Sequence, residues 1–183
     1  MKPSREEALR LHRRYGSNDV LIMHCRTVAL VTAILAEEFR RQGKEIDSKA
    51  AIAAALLHDI GRNRVKTVRH GLEGSEILKV EGVDEVVVQI VRRHVGAGIS
   101  REEAKTLGLP DFDYIPRTRE QVAVCFADKM VDTDKIRPFE EEVRRFERKG
   151  HDVERLVALK RNLEDDLGDD PETIIFDKIK ETR

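Results

Sequence analysis

The chain has 183 residues, with 34 Lys and Arg against 35 Asp and Glu, and a formal net charge of -1 at pH 7. This balance excludes a strongly basic field over the whole molecule, so there is no strong indication of nucleic-acid binding and any phosphate affinity must be local. No Ser/Gly/Pro-rich linker divides the sequence, and we therefore predict one domain over residues 1–183.

Capping signals mark several of the predicted helices. In a capping box, two side chains three positions apart satisfy each other's free backbone N–H groups, so the pattern indicates a helix start. It occurs at three places: Ser4 with Glu7, Ser100 with Glu103, and Thr118 with Gln121. We predict that a helix begins at each of them.

The other helices follow from periodicity and stop residues. In the first half of the chain we predict four helices, which are 19–42, a helix that begins at Ser48 and covers the next apolar run, 71–80, and a helix from Asp84 to Gly96. After Pro138 we predict one helix on each side of Gly150, and a last helix from residue 170 onward. Residues 107–120, with two prolines, favour a long loop. The fold class is therefore all-α, a compact bundle with its core at about 18–135 and charged helices at about 138–183.

The amino end and the cysteines bear on the compartment. The first residues, MKPSREEALR, lack the apolar core of a signal peptide, and the longest apolar run, 50–57, is too short to span a bilayer. Cys25 and Cys125 form no zinc-type pair, so we expect two buried thiols, with a disulfide as the weaker alternative. We predict a soluble, cytoplasmic protein that does not contact a membrane.

The segment KAAIAAALLHDIGR, residues 49–62, is apolar on all sides and predicts a buried central helix. Asp59 is then buried as well. An ionised carboxylate in that setting needs a cation, a hydrogen-bond network or a metal. Because His58 stands beside it, ligation and a structural role are about equally favoured for this pair.

Three further helices each direct an ionisable side chain at the core. His24 and His94 have apolar neighbours at helical spacing, and Asp128 lies in the apolar helix VAVCFADKMV. Taken singly, such a side chain is more often structural than a ligand. Taken together, convergent His and Asp side chains in a helical interior predict a metal site. His12 and His151 fall on charged helices, where we expect surface positions.

The order His24, His58-Asp59, Asp128, with LLHDIGR at the end of an apolar helix, resembles the HD-domain superfamily of metal-dependent phosphohydrolases, and in particular its HDIG subgroup. The resemblance runs from about residue 20 to 131. Members with a second ion carry two more histidines between the HD pair and the last Asp. The ligands that the resemblance then implies, with Asp59 bridging, are His24, His58, Asp59, His70, His94 and Asp128. His70 by itself is a weak candidate.

The chemistry suits these residue types. Two ions roughly 3.5 to 4 Å apart can activate a hydroxide and polarise a phosphoryl oxygen for in-line attack. Imidazole and carboxylate ligands fit Mn, Fe, Co, Ni or Zn better than Ca. We therefore predict a phosphohydrolase or phosphodiesterase with two divalent transition-metal ions, acting on a nucleotide or other small phosphate ester, with Asp59 and Arg62 as catalytic residues.

Substrate phosphate needs local positive charge. The cationic candidates for substrate binding are Arg62, Lys66, Arg69, Arg93 and Lys129. Each taken singly is more often a solvated surface charge. Arg62 ranks first because HDIG members commonly carry Lys or Arg at this place. The cyclic di-GMP type is disfavoured, since Val95 stands where that type has a second adjacent His and no GYP segment follows.

Two other functions stay open at this point. A minority of HD-domain proteins resembling inositol oxygenase use a similar ligand set in a diiron oxygenase, and O₂ consumption would identify that activity. A non-catalytic scaffold that binds metal or nucleotide is the third hypothesis. The charged helices after Pro138 could cover the core, form a homo-oligomer or contact another partner.

Overall fold

The structure is a computed structural model, which describes residues 1–181, so residues 182 and 183 of the predicted 138–183 region lie outside it. The described part is mostly helical, as predicted. Its α-helices are Arg5–Arg14 (α1), Asp19–Arg41 (α2), Ser48–Leu57 (α3), His70–Val80 (α4), Glu85–Arg93 (α5), Arg101–Thr106 (α6), Arg119–Lys129 (α7), Phe139–Arg148 (α8), Glu154–Leu167 (α9) and Pro171–Glu181 (α10). A 3₁₀ turn covers Ile60–Asn63.

The predicted helix starts are set by local caps. All three capping boxes form, at Ser4, Ser100 and Thr118. Helix α3 begins at Ser48, as predicted, although the residue that caps it is the preceding one: the Asp47 side chain, and not that of Ser48, accepts the hydrogen bond from the Ala50 N–H at 3.0 Å. Both residue types can cap a helix, and the pattern alone did not separate them.

A short antiparallel hairpin is added to the predicted helices. Strands Val131–Asp132 (β1) and Lys135–Ile136 (β2) pair with Val131 opposite Ile136. Each strand has two residues, which is too short to leave an alternating pattern in the sequence. Thr133 joins them with a φ of 59°, and the hairpin forms the connection between α7 and α8.

The central position of α3 confirms the reading of the apolar segment. This helix packs against α1, α2, α5 and α7. Five of its residues are alanines, whose small side chains let four neighbouring helices approach closely. The helix ends at Leu57, so His58 and Asp59 leave its carboxyl end together.

Among residues 1–181, α2 is the helix that has the length and composition of a membrane span. The sequence patterns predicted no membrane span. Its inner face carries Val28, Val31 and Leu35, which belong to the main hydrophobic cluster. It packs against α3, α7 and α10. Of its most apolar window, 44% is buried in the structure, and the core helix of a soluble protein passes the same test of length and composition.

The carboxy-terminal helices cover the core. Leu156, Leu159 and Leu163 of α9 and Ile175 of α10 are buried in the main hydrophobic cluster, and these helices pack on α7 and α2. Cys25 and Cys125 are buried and free, as predicted for reduced thiols.

Candidate metal centre

The six predicted ligands meet beyond the carboxyl end of α3. His24 lies in α2, His58 and Asp59 follow α3, His70 opens α4, His94 ends α5, and Asp128 lies in α7. Four of the six are buried, while the His24 and Asp128 side chains are 15% and 11% exposed. The structure therefore brings all six together, with His24 and Asp128 on the side that faces solvent.

Three side chains form the first group. His24 Nε2 lies 3.0 Å from Asp128 Oδ1 and 3.2 Å from His58 Nε2. His58 Nε2 lies 3.3 Å from the same Asp128 oxygen. Asp59 Oδ2 is 3.7 Å from His58 Nε2 and 3.9 Å from His24 Nε2, so one oxygen of Asp59 faces this group.

The other oxygen of Asp59 faces a second group. Its Oδ1 atom lies 3.2 Å from His70 Nε2 and 3.4 Å from His94 Nε2, and the two Nε2 atoms are 3.0 Å apart. The ligand atoms also lie within 4.8 Å of one another in three overlapping sets, which are His24, His58 and Asp59; His58, His94 and Asp128; and Asp59, His70 and His94. Asp59 thus stands between two sets of histidines and offers a different oxygen to each.

The imidazole rings are held by backbone carbonyls. The Nδ1–H groups of His58, His70 and His94 donate to the carbonyl oxygens of Ala55, Thr67 and Val91 at 2.8, 2.7 and 2.7 Å. Each carbonyl lies three residues earlier, at the end of a helix for Ala55 and Val91 and in a turn for Thr67, whose oxygen also accepts the His70 backbone N–H at 3.0 Å. In the neutral rings Nε2 is therefore the lone-pair atom, and it points into the cluster.

These donor atoms fit a divalent metal. Asp59 Oδ1 is buried and makes no hydrogen bond within residues 1–181, although the Nε2 atoms of His70 and His94 lie 3.2 and 3.4 Å from it. Three acceptor atoms so near one another repel unless a cation lies among them. Four imidazoles and two carboxylates suit a transition metal such as Mn, Fe, Co, Ni or Zn.

The charge states agree with this fit. Burial would raise the pKa of Asp59, but His58, His70 and His94 hold it well below its usual range. Burial would also raise the pKa of Asp128, but the Lys129 ammonium, 2.5 Å from Oδ2, is the main group that holds this pKa well below its usual range. Burial lowers the pKa of His94 to about 4. Both carboxylates are therefore ionised and His94 is neutral at neutral pH, as ligands must be.

Metal binding is expected to release a proton from His58. Burial would lower its pKa, but Cys25, Asp59 and Asp128 raise it well above the usual value, so metal-free His58 carries a proton at neutral pH. We expect about one proton released per chain, measured by titration calorimetry in buffers of different ionisation enthalpy. Metal affinity then rises with pH until His58 deprotonates by itself. Proton release confined to acid pH, near the pKa of His94, would contradict this assignment.

Gly61 allows α4 to approach the HD pair. A Cβ atom at Gly61 would lie 2.0 Å from the His70 carbonyl oxygen and 2.5 Å from the Gly74 nitrogen. We expect Gly61→Ala to cost about 1–3 kcal/mol of unfolding free energy and to displace His70 from the second group. Denaturant unfolding and metal content measure the two effects.

The matched control is Gly43→Ala. Gly43 has a φ of 72° but nothing within 4 Å of a built Cβ, so backbone strain of about 1 kcal/mol is the only expected cost. Equal loss of metal in both variants would contradict a specific role for Gly61.

A cleft of about 580 Å³ opens onto the first group, with His24, Asp59 and Asp128 in its wall. Of the five predicted phosphate-binding residues, Arg62, Lys66 and Lys129 line it. Arg62 Nε donates to Asp59 Oδ2 at 2.6 Å. The cleft therefore combines the ligand cluster with cationic side chains, and its lining has four basic and four acidic residues.

Arg69 and Arg93 are placed outside this cleft within the described residues. Arg69 Nη1 donates to the Gly108 carbonyl at 2.8 Å. The Arg93 guanidinium lies 4.5 Å from the centre of the Phe112 ring. Both arginines thus contact the predicted long loop, which runs from the end of α6 to the start of α7, and the geometry favours a structural role for them.

The sequence patterns misplaced His12 and did not indicate two residues that line the cleft. His12 was expected on the surface but is 2% exposed, and its Nε2–H donates to the Leu56 carbonyl at 2.7 Å; Ala8, one turn earlier, was the available signal. Glu142 and Arg145 of α8 line the cleft, although nothing local in that charged helix indicates it. His151 is exposed, as predicted.

Comparisons with known proteins agree with the resemblance. A family model described as HD domain matches residues 21–133. The chain is 37% identical over 174 residues to tRNA (cytidine(56)-2'-O)-methyltransferase of Thermoplasma volcanium, covering 94% of the chain and 50% of the relative. It is 37% identical over 158 residues to an uncharacterized protein of Methanocaldococcus jannaschii, and the match covers 84% of the chain and 93% of that relative.

A third relative is matched over a shorter stretch. Ribonuclease Y of Chlorobaculum tepidum is 37% identical over 89 residues, which is 48% of the chain and 16% of the relative. The chain spans about half the length of the methyltransferase and much less of the ribonuclease. No solved structure matches the chain.

Proposed function

The chain belongs to the HD-domain family of metal-dependent phosphohydrolases, and from this premise we propose that it hydrolyses a nucleotide or another small phosphate ester. The observation that carries the proposal is the position of Asp59 between two histidine groups. His24, His58, Asp59 and Asp128 would hold one ion, and Asp59, His70 and His94 a second. When bound, the ions supply the Lewis acidity that activates water and polarises the phosphoryl group.

Residues of the cleft have separate tasks in this proposal. Lys129 contacts Asp128 Oδ2 and leaves Oδ1 directed at His24, so it is a positioning residue. Arg62, 41% exposed and in the cleft wall, can contact a phosphate oxygen as well as Asp59. Lys66 adds a second exposed cation on the same wall. Together they orient an anionic substrate and offset its charge.

The similarity to ribonuclease Y supports a phosphodiester as one substrate, since that relative is named for cleavage of RNA. The cluster is narrow and largely buried, which favours a substrate that presents one phosphate to it at a time. The charge of the chain outside the cleft is balanced, so affinity must come from the cleft and its surroundings.

The test is a metal-reconstitution screen. Protein purified without chelator and loaded separately with Mn, Fe, Co, Ni or Zn is assayed for phosphate release from nucleotides and diesters, while O₂ uptake is followed for the iron form. Release with at least one ion supports the proposal. O₂ uptake without phosphate release would replace it with an oxygenase, and metal-dependent stability without either reaction would replace it with a scaffold.

A further inference from the structure

We propose that a groove beside the metal cleft binds a further phosphate group, so that the substrate carries at least two phosphates in a chain. This inference rests on the proposed function and extends it to substrate class. The groove, here named the α8 groove, is about 440 Å³ and is lined by Lys129, Val131, Asp132, Arg137, Glu141, Glu142, Arg144, Arg145 and Arg148.

The α8 groove is continuous with the metal cleft. The residues that line both are Lys129, Val131, Asp132, Glu142 and Arg145. They come from the end of α7, from β1 and from α8. An anionic chain that enters the cleft at the ligand cluster can therefore continue along α8 without leaving the protein surface.

The groove is locally cationic in a chain whose charge is otherwise balanced. Five basic side chains line it against three acidic ones, whereas the whole chain has a net charge of -1. Arg144 and Arg145 are paired with Glu140 and Glu142 at 3.3 Å, and both arginines are more than half exposed. The Arg144–Glu140 pair is exposed on both sides and is therefore weak, whereas the Glu142 side chain is only 12% exposed. A phosphate can therefore compete most readily for Arg144.

Arg137 gives an independent indication of a ligand. Its Nε atom is buried and has no hydrogen-bond partner within residues 1–181, and the side chain lines the groove. Its backbone N–H donates to the Met130 carbonyl at 2.7 Å, which fixes the residue just after β2. A buried guanidinium donor without an acceptor is unfavourable, and a phosphate bound in the groove supplies that acceptor once the Arg137 side chain turns toward it.

The lining also indicates what the groove recognises. No aromatic side chain lines it within the described residues, so it lacks the rings on which nucleic-acid bases commonly stack. Guanidinium groups instead match phosphate oxygens in pairs. The shared chemistry is therefore a row of phosphates, as found in a nucleoside polyphosphate and in a short oligonucleotide.

The test compares three adenosine probes with metal-loaded protein by titration calorimetry. AMP has one phosphate, the β,γ-methylene analogue of ATP has a polyphosphate chain, and a 5'-phosphorylated, phosphorothioate-linked triadenylate has phosphates separated by nucleosides. The variant is Arg137→Gln with Arg148→Gln. The matched control is Arg161→Gln, an exposed arginine on α9 outside the lining of both cavities.

We expect the double variant to weaken binding of one or both longer probes by about tenfold or more, with AMP changed by less than about twofold and the control unchanged. Loss for the ATP analogue alone identifies a polyphosphate chain, and loss for the triadenylate alone identifies an oligonucleotide. Arg137→Lys should restore part of the affinity, because it keeps the charge.

An unchanged affinity for both longer probes, or an equal loss for all three, would overturn the inference. Arg148→Gln alone, at an exposed position, replaces the double variant if thermal unfolding shows that Arg137→Gln does not fold. Since the measured quantity is binding and not phosphate release, failure of every phosphate-release assay would remove the proposed function without deciding the result for the groove.

Discussion

Asp59→Ala should lower the rate of phosphate release by at least about 10³-fold and remove most of the bound metal. Asp59 Oδ2 faces His24 and His58, while Oδ1 faces His70 and His94. No other single substitution removes an oxygen from both groups. The measurements are metal content by elemental analysis and initial rates with the best ion from the screen.

The helical fold should persist in this variant. Asp59 follows the end of α3 and makes no side-chain cap, so its loss removes no helix start. Far-UV circular dichroism should therefore match that of the wild type. Asp132→Ala is the matched control, since Asp132 is an exposed carboxylate in the wall of the same cleft. Turnover retained in Asp59→Ala would contradict the site assignment, and equal loss in Asp132→Ala would indicate a general electrostatic effect.

The double substitution His70→Ala with His94→Ala should reduce the bound metal from about two ions per chain to about one. These two imidazoles and Asp59 Oδ1 form the second group, and the first group keeps His24, His58 and Asp128. Activity should fall as well, because one ion alone cannot hold both the attacking and the leaving oxygen.

Elemental analysis of wild type and variant side by side checks this prediction. His151→Ala is the control histidine, since it is exposed and lies against Phe146 at 5.6 Å between ring centres. About one ion in both wild type and double variant would make the centre mononuclear and would leave His70 and His94 as structural residues. Absence of metal from the wild type, together with absence of turnover, would favour the scaffold hypothesis.

The sequence by itself was sufficient for the three helix starts that carry capping boxes, and the family resemblance that it shows was needed to name all six candidate ligands, His70 in particular. Capping boxes at Ser4, Ser100 and Thr118 act between residues three positions apart, so they can be read locally. The inward direction of His24 and His94 followed from apolar neighbours at helical spacing. The HD pair and its order with Asp128 then indicated the family that the HD-domain match supports.

Only the tertiary structure decided how these residues are arranged. Each oxygen of Asp59 faces a different histidine group because α4 and α5 pack where they do. The close approach of Gly61 to His70 depends on the same packing. Arg145 reaches the cleft from a helix more than eighty positions after Arg62 in the sequence. Local periodicity carries no information on such contacts, because they arise from packing between distant elements and from side-chain directions at helix ends.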